Sequence, residues 1–231
     1  MLTCLCDALY GEVGIATARV LRHVGCEVLF DDDQTCCGQP PFNAGDWEAS
    51  RKVALHCRRV FGKNDGIPVV TPSGSCAAML HEGYEMLFPG ETPDFESYEL
   101  GQFLYHKLGI RSWPAQKPYP RRVALHRGCH GRAIGLRDEH ETLLASVPGL
   151  QIVPFDQPEQ CCGFGGAFSA TFGKVSQGIG EEKLRNVRAA EPDELASTDM
   201  GCLLHLNGLI ARSGKPLRTR HFAEVLSETI P

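Results

Sequence analysis

A chain of 231 residues, 42% hydrophobic and 22% charged, is long enough to bury a core of its own and too apolar to stay disordered. Its formal net charge of −5, with basic residues no denser than pairs such as Arg121-Arg122, leaves no electrostatic footprint for a nucleic-acid backbone. No run approaches the roughly 18 apolar residues of a membrane helix, and Met1-Leu2-Thr3-Cys4 lacks the parts of a signal peptide, so the expected compartment is the cytoplasm.

Taken in chain order, residues 11–24 place Val13, Ala16, Val20 and Val24 at helical spacing, with Gly25 to end the helix. Cys26–Phe30 predicts a strand, and Asp31-Asp32-Asp33 leads into the turn Cys36-Cys37-Gly38-Gln39-Pro40-Pro41. Asp46 caps a helix reaching about Phe61, with Val53, Cys57, Val60 and Phe61 on its apolar side. Ile67–Val70 predicts a short buried strand, and the helix after it carries Cys76 in its first turn and runs to about Phe88. Residues 96–108 read as one more helix, and 109–120, with Pro114, Pro118 and Pro120, as a linker.

The same order then returns. Arg122–His126 predicts a strand delivering Cys129, residues 132–147 a helix, and Gln151–Phe155 the counterpart of Cys26–Phe30. Cys161-Cys162-Gly163-Phe164-Gly165-Gly166 forms the second cysteine turn, residues 174–189 a helix, Cys202 opens a helix to about Arg212, and Phe222–Leu226 partners Leu100–Leu104. Cys4 and Cys129 lie 32 positions before Cys36 and Cys161, while Cys76 follows Cys37 by 39 and Cys202 follows Cys162 by 40. Eight cysteines thus form two sets, Cys4/Cys36/Cys37/Cys76 and Cys129/Cys161/Cys162/Cys202. The fold class expected is α/β, two similar lobes related by internal duplication, residues 1–113 and 120–231, each a small parallel sheet flanked by helices. One irregularity stands out: Cys129 follows a full strand, whereas only Met1-Leu2-Thr3 precedes Cys4, so the first lobe lacks most of its opening strand or the chain begins later than its ancestor.

In a reducing compartment eleven cysteines point to metal-bound thiolates rather than to a disulfide framework, which an odd count also fits poorly. Four thiolates suit a 4Fe-4S cluster or a zinc ion. Adjacent cysteines are the discriminating detail, because neighbouring side chains reach one small site only where the backbone turns, as Gly38 and Gly163 permit. Zinc sites usually use C-x₂₋₄-C pairs, absent here, so the pattern favours iron-sulfur while zinc and unmetallated thiols stay open. The glycines of Gly163-Phe164-Gly165-Gly166 serve either N–H groups aimed at cluster sulfurs or close packing. Cys6, Cys26 and Cys57 have no partner in the repeat and read as packing residues, with Cys6 near enough to Cys4 to substitute for it. His126 and His130 flank Cys129 as weak catalytic candidates, Arg127 and Arg132 are candidates for an anion, and His205 shares a helix face with Cys202.

The motifs Thr3-Cys4-Leu5, Cys36-Cys37-Gly38-Gln39-Pro40, Pro72-Ser73-Gly74-Ser75-Cys76, Cys129-His130, Cys161-Cys162-Gly163-Phe164-Gly165-Gly166 and Asp199-Met200-Gly201-Cys202 resemble the cysteine-rich CCG domain family, and within it the lactate-utilisation members. That domain occurs twice in the cysteine-rich subunit of heterodisulfide reductase and in the iron-sulfur subunits of glycolate oxidase and anaerobic glycerol-3-phosphate dehydrogenase. The resemblance implies a two-lobed iron-sulfur electron-transfer subunit with one 4Fe-4S cluster per lobe. It also implies a ferredoxin-like iron-sulfur subunit and a third subunit as partners, in a complex that oxidises L-lactate, a small 2-hydroxy acid, to pyruvate. The heterodisulfide reductase relative has five cysteines per lobe; here Ser73 and Asp199 stand where the extra ones would be, which favours an ordinary cubane or, as the lesser alternative, an oxygen ligand. The other readings are a zinc-binding or thiol-based redox-sensing module, and the iron-sulfur subunit of a glycolate or other 2-hydroxy acid oxidase.

Overall fold

The computed structural model describes residues 1–64, 66–91 and 94–231. The first half runs α1 (Cys4–Leu9), α2 (Gly11–His23), α3 (Gln39–Asn43), α4 (Trp47–Phe61), β1 (Val69–Thr71), α5 (Gly74–Ala78), α6 (Tyr84–Leu87), β2 (Ser97–Glu99) and α7 (Leu100–Gln102). A π turn at Met79–Gly83 joins α5 to α6, and another at Phe103–Lys107 extends α7. The second half runs β3 (Arg122–His126), α8 (Cys129–Ala133), α9 (Glu139–Ala145), β4 (Gln151–Ile152), α10 (Ala167–Thr171), α11 (Gly173–Ala189), β5 (Glu194–Ser197), α12 (Met200–Ser213), β6 (Arg218–His221) and α13 (Phe222–Glu228).

All strand pairing is parallel: β1 pairs β2, and the second sheet has the order β4-β3-β5-β6. Parallel neighbours need crossover connections, which the helices supply, and loops therefore gather at the carboxyl ends of the strands. This is the α/β duplication that the cysteine spacing predicts. Asp46 caps α4 as expected, accepting the Ala49 N–H at 3.0 Å.

Several expected elements need correction. The helix expected over 96–108 starts with strand β2, where Val69↔Ser97 and Thr71↔Glu99 stand in register. The helix expected over 132–147 is broken into α8 and α9 around Gly135, whose φ of 87° no helix accepts. Strands β5 and β6 fall in segments, Glu-Leu-Ala-Ser and Arg-Thr-Arg-His, without the β-branched run or alternation that marks a strand in sequence.

The segment Cys26–Phe30 joins no strand ladder among the described residues, contrary to the strand expected there. Its counterpart β4 is a strand because β3 lies beside it, with Arg122↔Gln151 and Val123↔Ile152 in register. Among the described residues the first half has no counterpart of β3; the Met1 ammonium alone takes up that edge, donating to the Val70 carbonyl oxygen at 2.7 Å. With no ladder to join, the segment stands away from β1, leaves Leu29 and Phe30 exposed, and encloses with Met1, Phe61 and Val70 a cavity of about 720 Å³.

The main core crosses between the halves. Helix α2 packs on α13, α9 on α7, α1 on α12 and α5 on α8, so the duplicates of two packed helices are packed on each other as well. Ala16, Val20, Leu100, Phe103, Leu104 and Trp113 from one half share a single apolar cluster with Val123, Leu125, Leu143, Leu144, Phe222 and Val225 from the other. Polar contacts follow the same reciprocity. Buried Glu99 caps α7 and meets His140 Nε2 at 2.8 Å across the boundary, while Trp113 Nε1 donates to Thr229 Oγ1 at 2.8 Å.

A shared core makes a shared transition. Leu104→Ala, which removes a fully buried side chain from that cluster, is expected to lower stability by about 2–5 kcal/mol. In urea, tryptophan fluorescence and far-ultraviolet circular dichroism should shift together along one curve; two separated transitions, with only one displaced, would contradict a common core.

Candidate metal centres

Each cysteine turn is made by a glycine in the left-handed region. Gly38 has φ 92° and Gly163 φ 90°, and the reversal brings the two preceding thiols to the same side of the backbone. A serine on the following long helix fixes the turn: Ser50 Oγ donates to the Gly38 carbonyl oxygen at 2.9 Å, and Ser176 Oγ to that of Gly163 at 2.7 Å. The fit is tight, since a Cβ on Gly163 would sit 2.5 Å from the Ser176 carbonyl oxygen. Neither serine stood out in the sequence, although their separation equals the 126 residues between Cys76 and Cys202.

The remaining thiols arrive from helix starts at the strand ends. Cys4 opens α1 behind its cap Thr3, Cys76 lies in the first turn of α5, Cys129 opens α8, and Cys202 lies in the first turn of α12. In the first half Cys4 touches Cys36, Cys36 touches Cys37, and Cys37 Sγ lies 3.6 Å from Cys76 Sγ. In the second half Cys129 touches Cys161, Cys161 touches Cys162, and Cys162 Sγ lies 2.9 Å from Cys202 Sγ. In each half the four cysteines of the repeat thus form a run of neighbours, Cys4, Cys36, Cys37 and Cys76 in the first and Cys129, Cys161, Cys162 and Cys202 in the second, and the one set of three ligand atoms mutually within 4.8 Å among the described residues is that of His126, Cys162 and Cys202. Cys37, Cys76, Cys162 and Cys202 form the buried side of each quartet, whereas Cys4, Cys129 and Cys161 reach the surface.

Each quartet favours a single thiolate, at Cys36 and at Cys161, and its neighbours stay protonated as donors to it. Hydrogen bonds from Cys37 and Cys4, assisted by the Gly38 N–H at 3.4 Å, hold the Cys36 thiol down to about 3. Bonds from Cys129 and Cys162, with the Gly163 N–H at 3.3 Å, hold Cys161 down to about 2. Cys4 and Cys129 are pushed up, first because they donate to that thiolate and then by burial. A thiolate is the form that ligates a metal.

His126 adds an observation in the second half. It is buried, neither ring nitrogen has a well-formed hydrogen bond, and its nearest donor atom lies within 4.8 Å of both Cys162 Sγ and Cys202 Sγ. Burial, then the nearby Lys183, pushes its pKa down to about 3, which leaves a neutral imidazole. Orphaned nitrogen beside convergent sulfur fits a metal centre, because buried polar atoms otherwise find partners. His130 is half-buried, its Nδ1 3.7 Å from Cys129 Sγ. His205 turns instead to Ser176, with Nε2 3.3 Å from the carbonyl oxygen.

Other candidates find different work. Ser73 and Asp199 both cap helices, Ser73 Oγ accepting the Cys76 N–H at 3.2 Å and Asp199 Oδ1 the Gly201 N–H at 3.0 Å. They also meet each other: Asp199 Oδ2 accepts the Ser75 N–H at 2.8 Å and the Ser73 hydroxyl at 3.3 Å, tying the starts of α5 and α12 together. Arg127 pairs with Glu141 and Arg132 with Glu159, so both cations beside Cys129 are already neutralised. Cys6 and Cys57 are fully buried packing residues and Cys26 is half-buried, outside both quartets.

Comparison with known proteins agrees with this duplication. The cysteine-rich domain designated CCG matches residues 1–81 and again 123–207. The chain is 43% identical to Lactate utilization protein A of Geobacillus kaustophilus over 235 residues, covering 97% of this chain and 96% of that protein. The corresponding protein of Geobacillus thermodenitrificans is 41% identical with the same coverage, and Lactate utilization protein A 2 of Bacillus cereus strain Q1 is 36% identical over 236 residues, covering 98% and 96%. Among the described residues no helix is long and apolar enough to cross a membrane.

Gly163→Ala should undo one centre and spare the other. Left-handed strain with the Ser176 contact is expected to cost about 1–3 kcal/mol and to lower the metal retained by the second half alone, read by metal analysis and urea denaturation. Wild-type stability and metal content in this variant would show that the turn is not what brings Cys161 and Cys162 together.

Proposed function

Because the chain belongs to the CCG cysteine-rich family, with relatives named for lactate utilisation across nearly its whole length, we propose that it is an iron-sulfur electron-transfer subunit of an L-lactate-oxidising complex in the cytoplasm. Cys4, Cys36, Cys37 and Cys76 hold one 4Fe-4S cluster, and Cys129, Cys161, Cys162 and Cys202 hold another. The observation that supports this reading is the duplicated run of four neighbouring thiols, each buried at one end and open at the other. The clusters, when bound, supply one-electron carriers, which converts a two-electron oxidation into single steps. The chain's part is to hold four thiolates per centre, shield their inner sides, and set the centres near one boundary. The α1–α12 and α5–α8 contacts bring the ligand-bearing helices of opposite halves together, and the Asp199 bridge fixes that juxtaposition.

The partners in this proposal are a ferredoxin-like iron-sulfur subunit and a third subunit of the same complex. Exposed Cys4, Cys129 and Cys161 mark the faces through which electrons pass to them. The substrate is a small 2-hydroxy acid, lactate rather than glycolate on the relatives' names. His126 is too enclosed to meet it and serves the metal centre, which leaves His130 as the histidine able to face a partner or substrate.

One separation favours a second reading. The 3.6 Å between Cys37 Sγ and Cys76 Sγ is near the edge, about 3.8 Å, of a tetrahedron built on Zn–S bonds of roughly 2.3 Å. A zinc centre would make the chain a structural or thiol-sensing module, since zinc has no redox chemistry of its own.

Anaerobically prepared protein is expected to contain about eight irons and eight sulfides per chain and to absorb broadly near 400 nm. Cys36→Ser and Cys161→Ser should each remove about half the iron and abolish lactate-dependent reduction in the complex reconstituted with its partners. Stoichiometric zinc without iron, or both variants keeping full iron and activity, would reject the proposal.

A further inference from the structure

Among the described residues Lys183 is the only lysine or arginine that is buried, and none of its surface is exposed. It sits on α11 one turn beyond Gly180 and two beyond Ser176, on the face that supports the second cysteine turn. Its Nζ donates to the carbonyl oxygens of Gln157, at 3.0 Å, and Pro158, at 2.8 Å, in the loop leading to Cys161. The ammonium also lies 4.8 Å from the Phe155 ring centroid. These contacts supply dipoles and a π face, but no compensating charge.

A buried cation needs an anion, since its desolvation costs several kcal/mol. No carboxylate pairs with Lys183 among the described residues; the groups that act on it electrostatically are the thiols of Cys162, Cys202 and Cys161, which carry negative charge as metal ligands. Arg132, the other cation nearby, is already paired with Glu159. The first half is built differently at the same place. The separation of 126 residues that relates Ser50 to Ser176 and Cys76 to Cys202 relates Lys183 to Cys57, a buried neutral thiol beside Tyr84.

We propose that Lys183 is the counter-ion of the thiolate-ligated centre in the second half and makes that centre the more readily reduced of the two. This rests on the iron-sulfur reading above. A four-thiolate cluster is anionic and gains one more negative charge on reduction, so a fixed cation stabilises the reduced form more than the oxidised one. The duplication thus produced two centres of like geometry and unlike electrostatics, which gives an electron entering the first half a downhill step into the second. Lys183 is a positioning residue in this scheme: it tunes the centre through space and ligates nothing.

The test is a potentiometric titration at pH 7, followed by electron paramagnetic resonance, of the anaerobically prepared full chain and its Lys183→Met and Lys183→Arg variants. Cys36→Ser and Cys161→Ser backgrounds assign each signal to its half. In Lys183→Met the second centre's reduction equilibrium should weaken at least tenfold, a fall of about 59 mV for a one-electron couple, while the first centre stays put and Lys183→Arg keeps the wild-type value. Full iron with an unmoved potential in Lys183→Met, or equal movement of both centres, overturns the inference. Should Lys183→Met fail to hold the second centre, Lys183→Arg decides: full iron at the wild-type potential supports the counter-ion, and full iron at a lowered potential overturns it. Wild-type protein free of iron and sulfide would overturn the iron-sulfur reading itself, and this inference with it.

Discussion

Two adjacent thiols can serve one inorganic centre only if the backbone between them and the next residue reverses, and this requirement governs the rest of the architecture. Glycine at φ near 90° makes the reversal, a serine hydroxyl from the next long helix holds its carbonyl, and the helix must lie close enough to exclude a Cβ. That proximity places α4 and α11 against their turns. The parallel sheets then bring the remaining thiols to the same end of the fold, because strands of one direction release their loops at one edge.

The two halves depend on each other for burial. Neither sheet is wide enough to cover its own helices, and the core is completed by exchanging partners, α2 with α13 and α9 with α7. The same exchange brings the helices bearing Cys4 and Cys202 into contact, and likewise those bearing Cys76 and Cys129. Packing and function are therefore coupled: the boundary that buries Leu104 and Phe222 is also where the two sulfur quartets approach, bridged by Asp199 to Ser73 and Ser75.

Duplication preserved the eight cysteines and let their surroundings diverge. The first half has a two-stranded sheet, an unpaired Cys26–Phe30 segment and a thiol at Cys57, while the second has four strands, a buried imidazole at His126 and a buried ammonium at Lys183. In a low-dielectric interior a single fixed charge outweighs many dipoles, so centres with the same ligands need not have the same chemistry. Ser73 and Asp199, which occupy positions of extra cysteines in a related family, are committed here to helix caps and to each other.

The order of cysteines and the strand-helix alternation along the chain, by themselves, determined the duplication and the parallel α/β class, because residue spacing and alternation are local properties, and they singled out the eight thiols proposed as ligands. The long helices α2, α4, α11 and α12 were legible for the same reason, each with its apolar face at a regular period. Strands β2, β5 and β6 were not, since their side chains carry no pattern and only a neighbouring ladder makes them strands; the failure of Cys26–Phe30 is the converse, a strand-like run with no ladder to join. Tertiary structure alone decided which serine holds each turn, that His126 faces sulfur while Arg127 and Arg132 face carboxylates, and that Lys183 is buried with no carboxylate paired to it among the described residues. Those facts depend on what lies across a packed boundary, and the distance between two side chains there is set by every element between them.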